Sequence, residues 1–333
     1  MTVIMTNPMS NLYSQLSTVG IVKSFAKKVL PEWWDDEIAD SASGLQQAQL
    51  YFSRAFNLDI ASLQAGQTQP KFHVVERKFK LSGNVSAEDV SVGAHYVTAI
   101  AKLALQTIAR PQSVVPKDPN ELRLHIINKY SCVNLDGILS YCAEVGIPVI
   151  HVEKVPGKKM TGLVARIDGR FAIVISKKGH PAYQLFYLAH ELGHIANEHL
   201  TENGFIGDES IGSNDKNDAD EKEADAYAIR LLNGNEVKYT AQGTALSPKK
   251  LFLAAKRKGE EKNVDIGHII LNFGNSQKNM PLANMALREV AGSENGAVVI
   301  NQAFFSSLNE ELLSDDQLQL LKIATGYNAS TII

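Results

Sequence analysis

Apolar residues recur at steps of three and four over several stretches of this chain, the pattern of helices with one buried face. This periodicity, together with start and stop signals such as acidic first turns and glycines at the end, predicts helices at residues 45–56, 94–109, 182–200, 220–232, 247–259, 265–273, 282–290 and 315–323. Short runs rich in β-branched residues predict strands at 147–152, 161–167 and 170–176. The last two flank Asp168-Gly169, a strong signal for a two-residue hairpin. The pattern therefore predicts an α+β fold that is mostly helical and contains a small twisted sheet.

The helix predicted at 182–200 carries the first candidate for chemistry, the segment His190-Glu191-Leu192-Gly193-His194. Residues four apart lie on one face of a helix, so the imidazoles of His190 and His194 can reach the same metal ion. Glu191 lies between them and can accept a proton from a water molecule at that ion. These five residues predict two metal ligands and a general base.

Catalytic zinc usually takes three protein ligands, so a further side chain is needed. His199 is the nearest further histidine. It does not match the extended pattern His-Glu-x-x-His-x-x-Gly-x-x-His, whose last histidine falls at Leu200. We expect His199 to be a solvated residue at the end of the helix, where a partial positive charge suits the helix dipole.

The acidic helix predicted at 220–232 offers a better third ligand. Glu221 shares a face with Ala224, and such small residues would let this helix approach the first one closely. Glu223 lies on a more polar face and is the alternative ligand. Asp225, one turn beyond Glu221, is a candidate acceptor for the second ring N–H of a metal-bound histidine.

These segments resemble the ImmA/IrrE family of zinc-dependent metallopeptidases. The resemblance lies in Leu188-Ala189-His190-Glu191-Leu192-Gly193-His194, in Glu221-x-x-Ala224-Asp225-Ala226-Tyr227-Ala228 and in Leu231-Leu232. Tyr227 stands where the family usually has Phe, and the proline that usually follows the two leucines is missing. The resemblance implies a zincin-like core, His190, His194 and Glu221 as Zn²⁺ ligands, and Glu191 as catalytic base. It also implies cleavage of one specific intracellular protein, often a transcriptional repressor.

The segment 111–119 contains three prolines and is predicted to be a linker. It divides a helical N-terminal domain (1–110) from a metallopeptidase domain (120–235), which a helical C-terminal region (236–333) follows. Residues 202–218 are rich in Gly, Asp, Asn and Ser and are predicted to form a surface loop beside the cleft. An extended substrate peptide could pair with an edge strand of the sheet beside the metal helix.

Composition narrows the function classes. The formal net charge of −3, with 44% hydrophobic and 21% charged residues, is typical of a soluble globular protein without general attraction to nucleic acid or membranes. The chain has two cysteines, no apolar run long enough for a bilayer and no apolar stretch in Met1–Ser17. We therefore expect a cytoplasmic protein that does not associate with membranes.

Two other functions remain open. The helices near 45–63 are loosely similar to a helix-turn-helix, which would suit a DNA-binding or sensor regulator with a peptidase-like fold. Residues 1–110 contain ten Lys and Arg against nine Asp and Glu, so the indication of DNA contact is weak. The chain could also be the toxin or antitoxin half of a paired module, held in check by a helix-turn-helix partner protein.

Overall fold

The computed structural model describes residues 7–73, 76–80, 87–157, 161–208, 219–241, 246–291 and 295–327, with the backbone alone at 76–80, 87–91 and 208. Most described residues are helical, and each of the helices predicted above is present. The helices are α1 (Pro8–Thr18), α2 (Lys23–Ala26), α3 (Ala42–Phe56), α4 (Ile60–Gln64), α5 (Ala87–Gln106), α6 (Pro119–Tyr130), α7 (Leu135–Val145), α8 (Pro181–Ala196), α9 (Ala219–Asn233), α10 (Pro248–Lys262), α11 (Ile266–Ser276), α12 (Met280–Ala291), α13 (Gly296–Ser307) and α14 (Asp315–Thr325).

One mixed sheet lies among these helices and confirms the predicted α+β class. Its strands are β1 (Glu76–Lys80), β2 (Val149–His151), β3 (Gly162–Ile167), β4 (Arg170–Ile175) and β5 (Gly204–Asp208), in the order β1-β5-β3-β4-β2. The central strand β3 is antiparallel to both β4 and β5, whereas β1 is parallel to β5 and β2 is parallel to β4.

The predicted hairpin is present between β3 and β4. Ile167 pairs with Arg170, and the two residues between them have positive φ angles, 50° at Asp168 and 77° at Gly169. This is the backbone that a tight two-residue hairpin requires, and Asp-Gly adopts it readily.

The prediction of a loop over 202–218 is wrong in its first part. Residues 204–208 form β5, because Phe205 is fully buried and the segment pairs along β3. The rest of that predicted loop, 209–218, lies outside the described residues. The sequence pattern also missed β1, which pairs with the far side of β5. As a result, β3 is an interior strand, and the edges of the described sheet are β1 and β2.

Alternate side chains of the strands enter two different cores, as the period of two requires. Val164, Ile173 and Ile175 pack with the apolar residues of α6, α7, α8 and α9. Leu163 and Val174 point to the opposite face, where they share a core with α1, α3, α5 and α14. The N-terminal helices are therefore packed directly on the sheet, and the domain boundaries drawn at 111–119 and 235 stay predictions.

The C-terminal helices α10, α11 and α12 form a third core, which meets the start of α8 at Ala182. The prediction that Gly259 ends a helix is wrong, since α10 continues to Lys262 and ends at Asn263, whose φ is 51°. A Cβ at Gly259 would lie 2.7 Å from the carbonyl oxygen of Val264, so this glycine permits close packing. None of the described helices combines the length and the apolar character that crossing a lipid bilayer demands.

Candidate metal centre

Helix α8 is built to be rigid and buried. Pro181 occupies its first turn, and the His180 ring accepts a hydrogen bond from the Ala182 N–H, so two signals fix the start of the helix. Every residue from Tyr187 to Ala196 is buried. Side chains on such a helix are held by packing on all sides, which gives a metal site its fixed geometry.

Three side chains converge within this buried region. The Nε2 atoms of His190 and His194 are 3.1 Å apart. On α9, Glu221 places Oε2 at 3.4 Å from His190 Nε2 and Oε1 at 3.4 Å from His194 Nε2. Tetrahedral zinc with bonds of about 2.0–2.2 Å places its ligand atoms about 3.3–3.6 Å apart, which is close to the spacing of the two ring nitrogens and the carboxylate. Among the described residues, this is the group of histidine, cysteine and acidic side chains that could hold a metal ion.

The surroundings of Glu221 favour its ionised form. Burial opposes its charge, but hydrogen bonds and attraction from His190 and His194 hold the pKa of its carboxyl well below the ordinary value. A buried carboxylate facing two imidazole nitrogens is the electrostatic arrangement that a divalent cation completes.

The close approach of α8 and α9 depends on two small residues. A Cβ added at Gly193 would lie 2.9 Å from both the Cα and the carbonyl oxygen of Ala224. Larger side chains at this crossing would therefore push the helices apart. The small residue Ala224 allows the close approach that the sequence predicts for its face of α9, and the crossing brings Glu221, one turn before Ala224, to the two histidines.

Each histidine of this group has a partner at its other ring nitrogen. His190 Nδ1 lies 2.9 Å from Asp225 Oδ1, as the position of Asp225 one turn beyond Glu221 predicts. His194 Nδ1 lies 2.9 Å from His199 Nδ1, and His199 Nε2 lies 3.2 Å from Glu223 Oε2.

These contacts correct the prediction for His199 and show which of Glu221 and Glu223 lies beside the two histidines. His199 is buried, with 6% of its surface exposed, so the prediction of a solvated residue is wrong. The chain folds back after α8, and the His199 ring contacts the His194 ring edge to face. Glu223 bonds to His199 and leaves 62% of its side chain exposed, so the structure brings Glu221, not Glu223, to the histidine pair.

Glu191 is buried against the sheet. A Cβ at Gly162, the first residue of β3, would overlap the Glu191 Oε1 atom. The carboxylate therefore occupies space that exists because residue 162 has no side chain. Sequence reasoning missed Gly162, since a glycine at the start of a predicted strand gives no sign of a distant contact.

The interior position of β3 bears on the predicted pairing of a peptide with the sheet. Gly162 pairs with Ile175 on one side and with Asp208 on the other, so β3 has no open edge beside Glu191. Pairing of an extended peptide with an edge of the described sheet would occur at β1 or β2.

No family model, curated protein or solved structure matches this chain. The resemblance to the ImmA/IrrE family accordingly stays a prediction based on the two motif segments.

Proposed function

We propose that this protein is a zinc-dependent endopeptidase that hydrolyses a specific intracellular protein. The observation that carries the proposal is the buried triangle of His190 Nε2, His194 Nε2 and a Glu221 carboxylate, with Glu191 on the same helical turn. Two histidines and one glutamate are a ligand set of catalytic zinc, whereas structural zinc sites usually have four ligands rich in cysteine. The two cysteines, Cys132 and Cys142, are not part of the group.

The bound ion would supply a water molecule of near-neutral pKa and would polarise the scissile carbonyl. Glu191 accepts the proton of the attacking water and later delivers it to the leaving amine. Asp225 accepts a hydrogen bond from His190 Nδ1–H and so directs the Nε2 lone pair of that ring towards the ion. Burial of these groups excludes bulk water, which strengthens each electrostatic interaction among them.

The family resemblance supports one protein target, a transcriptional regulator, rather than general digestion. A sensor with a peptidase-like fold would keep the metal site without requiring Glu191 as a base, so hydrolysis that depends on Glu191 separates the endopeptidase from the sensor. A member of a toxin–antitoxin pair, whose activity a partner holds in check, would instead copurify with a small helix-turn-helix protein.

The test compares metal content and cleavage in three variants. Glu191→Gln should retain one zinc ion per chain and lose cleavage by at least about 10²-fold, because the amide cannot act as a base. His190→Ala should lose both zinc and cleavage. Glu202→Gln, an exposed glutamate, is the matched control and should behave as the wild type.

Zinc is measured by elemental analysis of the purified protein. Cleavage is measured by incubation with the product of the neighbouring gene, because the family resemblance implies a target that is often encoded beside the peptidase. Full cleavage by Glu191→Gln would refute the assigned base. A wild-type protein that binds zinc and leaves the regulator intact in all conditions would favour the sensor function.

A further inference from the structure

The end of α8 has a backbone geometry that returns the chain to the candidate metal centre. Asn197 caps the helix and Glu198 has a left-handed backbone with φ of 58°. The Glu198 N–H donates to the Ile195 carbonyl at 3.2 Å, and the His199 N–H donates to the His194 carbonyl at 3.1 Å. These two bonds form a Schellman motif, in which the residue after the left-handed position folds back over the last turn of the helix.

This motif places the His199 ring against the ring of His194 in an edge-to-face arrangement, with an angle of 70° between the ring planes. The ring centroids are 5.0 Å apart, and the two Nδ1 atoms are at hydrogen-bond distance, 2.9 Å. In most Schellman motifs, an apolar contact joins these two positions. Here a polar contact takes its place inside a buried region, where an unsatisfied ring nitrogen would cost free energy.

The direction of these hydrogen bonds follows from the use of His194 Nε2 as a ligand. A ligand nitrogen carries no proton, so the proton of neutral His194 is on Nδ1, which donates to His199 Nδ1. His199 then carries its own proton on Nε2, which donates to the carboxylate of Glu223. One chain of hydrogen bonds thus leads from the ligand through a second imidazole to an acid on α9.

We propose that His199 and Glu223 are positioning residues of the metal centre, which hold His194 in the Nδ1–H tautomer and fix the plane of its ring. This inference rests on the metal site of the proposed function. Both ligand histidines would then be oriented by acids of α9, His190 directly by Asp225 and His194 through His199. Because Glu223 is mostly exposed, its hydrogen bond to His199 is the weaker of the two, and His199 should contribute more than Glu223 to the affinity for zinc.

The test separates hydrogen bonding from space filling at position 199. In Asn, Oδ1 is as many bonds from Cα as Nδ1 is in His, so His199→Asn keeps an acceptor for the His194 N–H. His199→Phe keeps a ring and removes the acceptor. The zinc affinity of the metal-free protein is measured by competition with a chelating dye, and thermal unfolding of the same samples checks folding.

We expect His199→Phe to weaken zinc binding by about 10- to 100-fold, and His199→Asn to stay within about threefold of the wild type. A role in packing alone predicts the reverse order and would overturn the inference. Glu223→Ala, at an exposed side chain that does not endanger folding, should weaken zinc binding by a smaller factor, and Glu223→Gln should restore it.

Equal affinity of Glu223→Ala and the wild type would remove Glu223 from the chain of hydrogen bonds. Glu198→Gln, at the neighbouring exposed residue, is the control and should bind zinc as the wild type does. Failure of the wild type to bind zinc would overturn the metal centre itself. Tight wild-type binding with no effect of the His199 and Glu223 variants would overturn this inference alone.

Discussion

Gly162→Ala should slow hydrolysis by about 10²-fold while leaving the fold and the metal ligands in place. A Cβ at this position would overlap Glu191 Oε1 and would lie 2.9 Å from the Glu191 Cδ atom. The backbone of Gly162 is not in the left-handed region, so alanine fits the strand itself. The conflict is therefore confined to the end of one flexible side chain, which must move away.

The effects on stability and on cleavage differ in size. Forcing Glu191 off its preferred rotamer costs about 0.5–1.5 kcal/mol. Replacing glycine by alanine where the backbone permits it stabilises a protein by about 0.4–1 kcal/mol through the unfolded chain. These effects nearly cancel, so the free energy of unfolding should change by less than about 1 kcal/mol. A shift of the carboxylate by about 1 Å, in contrast, is enough to slow cleavage by about 10²-fold.

The assays are urea denaturation, zinc content and the rate of cleavage of the regulator. The control is the same substitution in a Glu191→Ala background, where the overlap is absent and Gly162→Ala should stabilise the protein by about 0.4–1 kcal/mol. Undiminished cleavage by Gly162→Ala would refute the placement of the base. Equal stability effects in the two backgrounds would refute the contact between Gly162 and Glu191.

Two further predictions concern stability. Glu198→Gly should raise the free energy of unfolding by up to about 1 kcal/mol, because the left-handed backbone of Glu198 is strained in a residue with a Cβ. Denaturation with urea measures this gain in stability. A loss of stability would contradict the strain. Acidification should destabilise the metal-free protein as the pH falls from 6.5 towards 4, since burial and then the charge of Arg123 lower the pKa of His268 from 6.5 to about 4. The folded state holds this imidazole neutral, so unfolding takes up a proton within that window and stability is complete only above it. His268→Gln should reduce the slope of stability against pH there, and part of the slope should remain because burial also lowers the pKa of His151 to about 4. An unchanged profile would show that His268 has no part in it.

Local patterns in the sequence were sufficient for the parts of the protein that depend on near neighbours. The periodicity of three and four placed α8, because one buried face of a helix imposes that spacing whatever packs against it. The acids of the first turn and Gly234 just past the end placed α9. Asp168-Gly169 identified the hairpin, since two residues alone determine such a turn. The spacing of His190 and His194 fixed a shared face for the same local reason.

The sequence by itself thus determined a mostly helical α+β chain with two histidines, a glutamate between them and an acidic helix further on. Only the tertiary structure decided which side chains join the site, because that depends on which helix faces meet. The crossing at Gly193 and Ala224 selects Glu221. The return of the chain after Glu198 buries His199. Pairing between distant strands added β1 and β5 and set Gly162 against Glu191. Contacts between segments far apart in the chain follow from the shape of the packed surfaces, and that shape leaves no periodic trace in either segment.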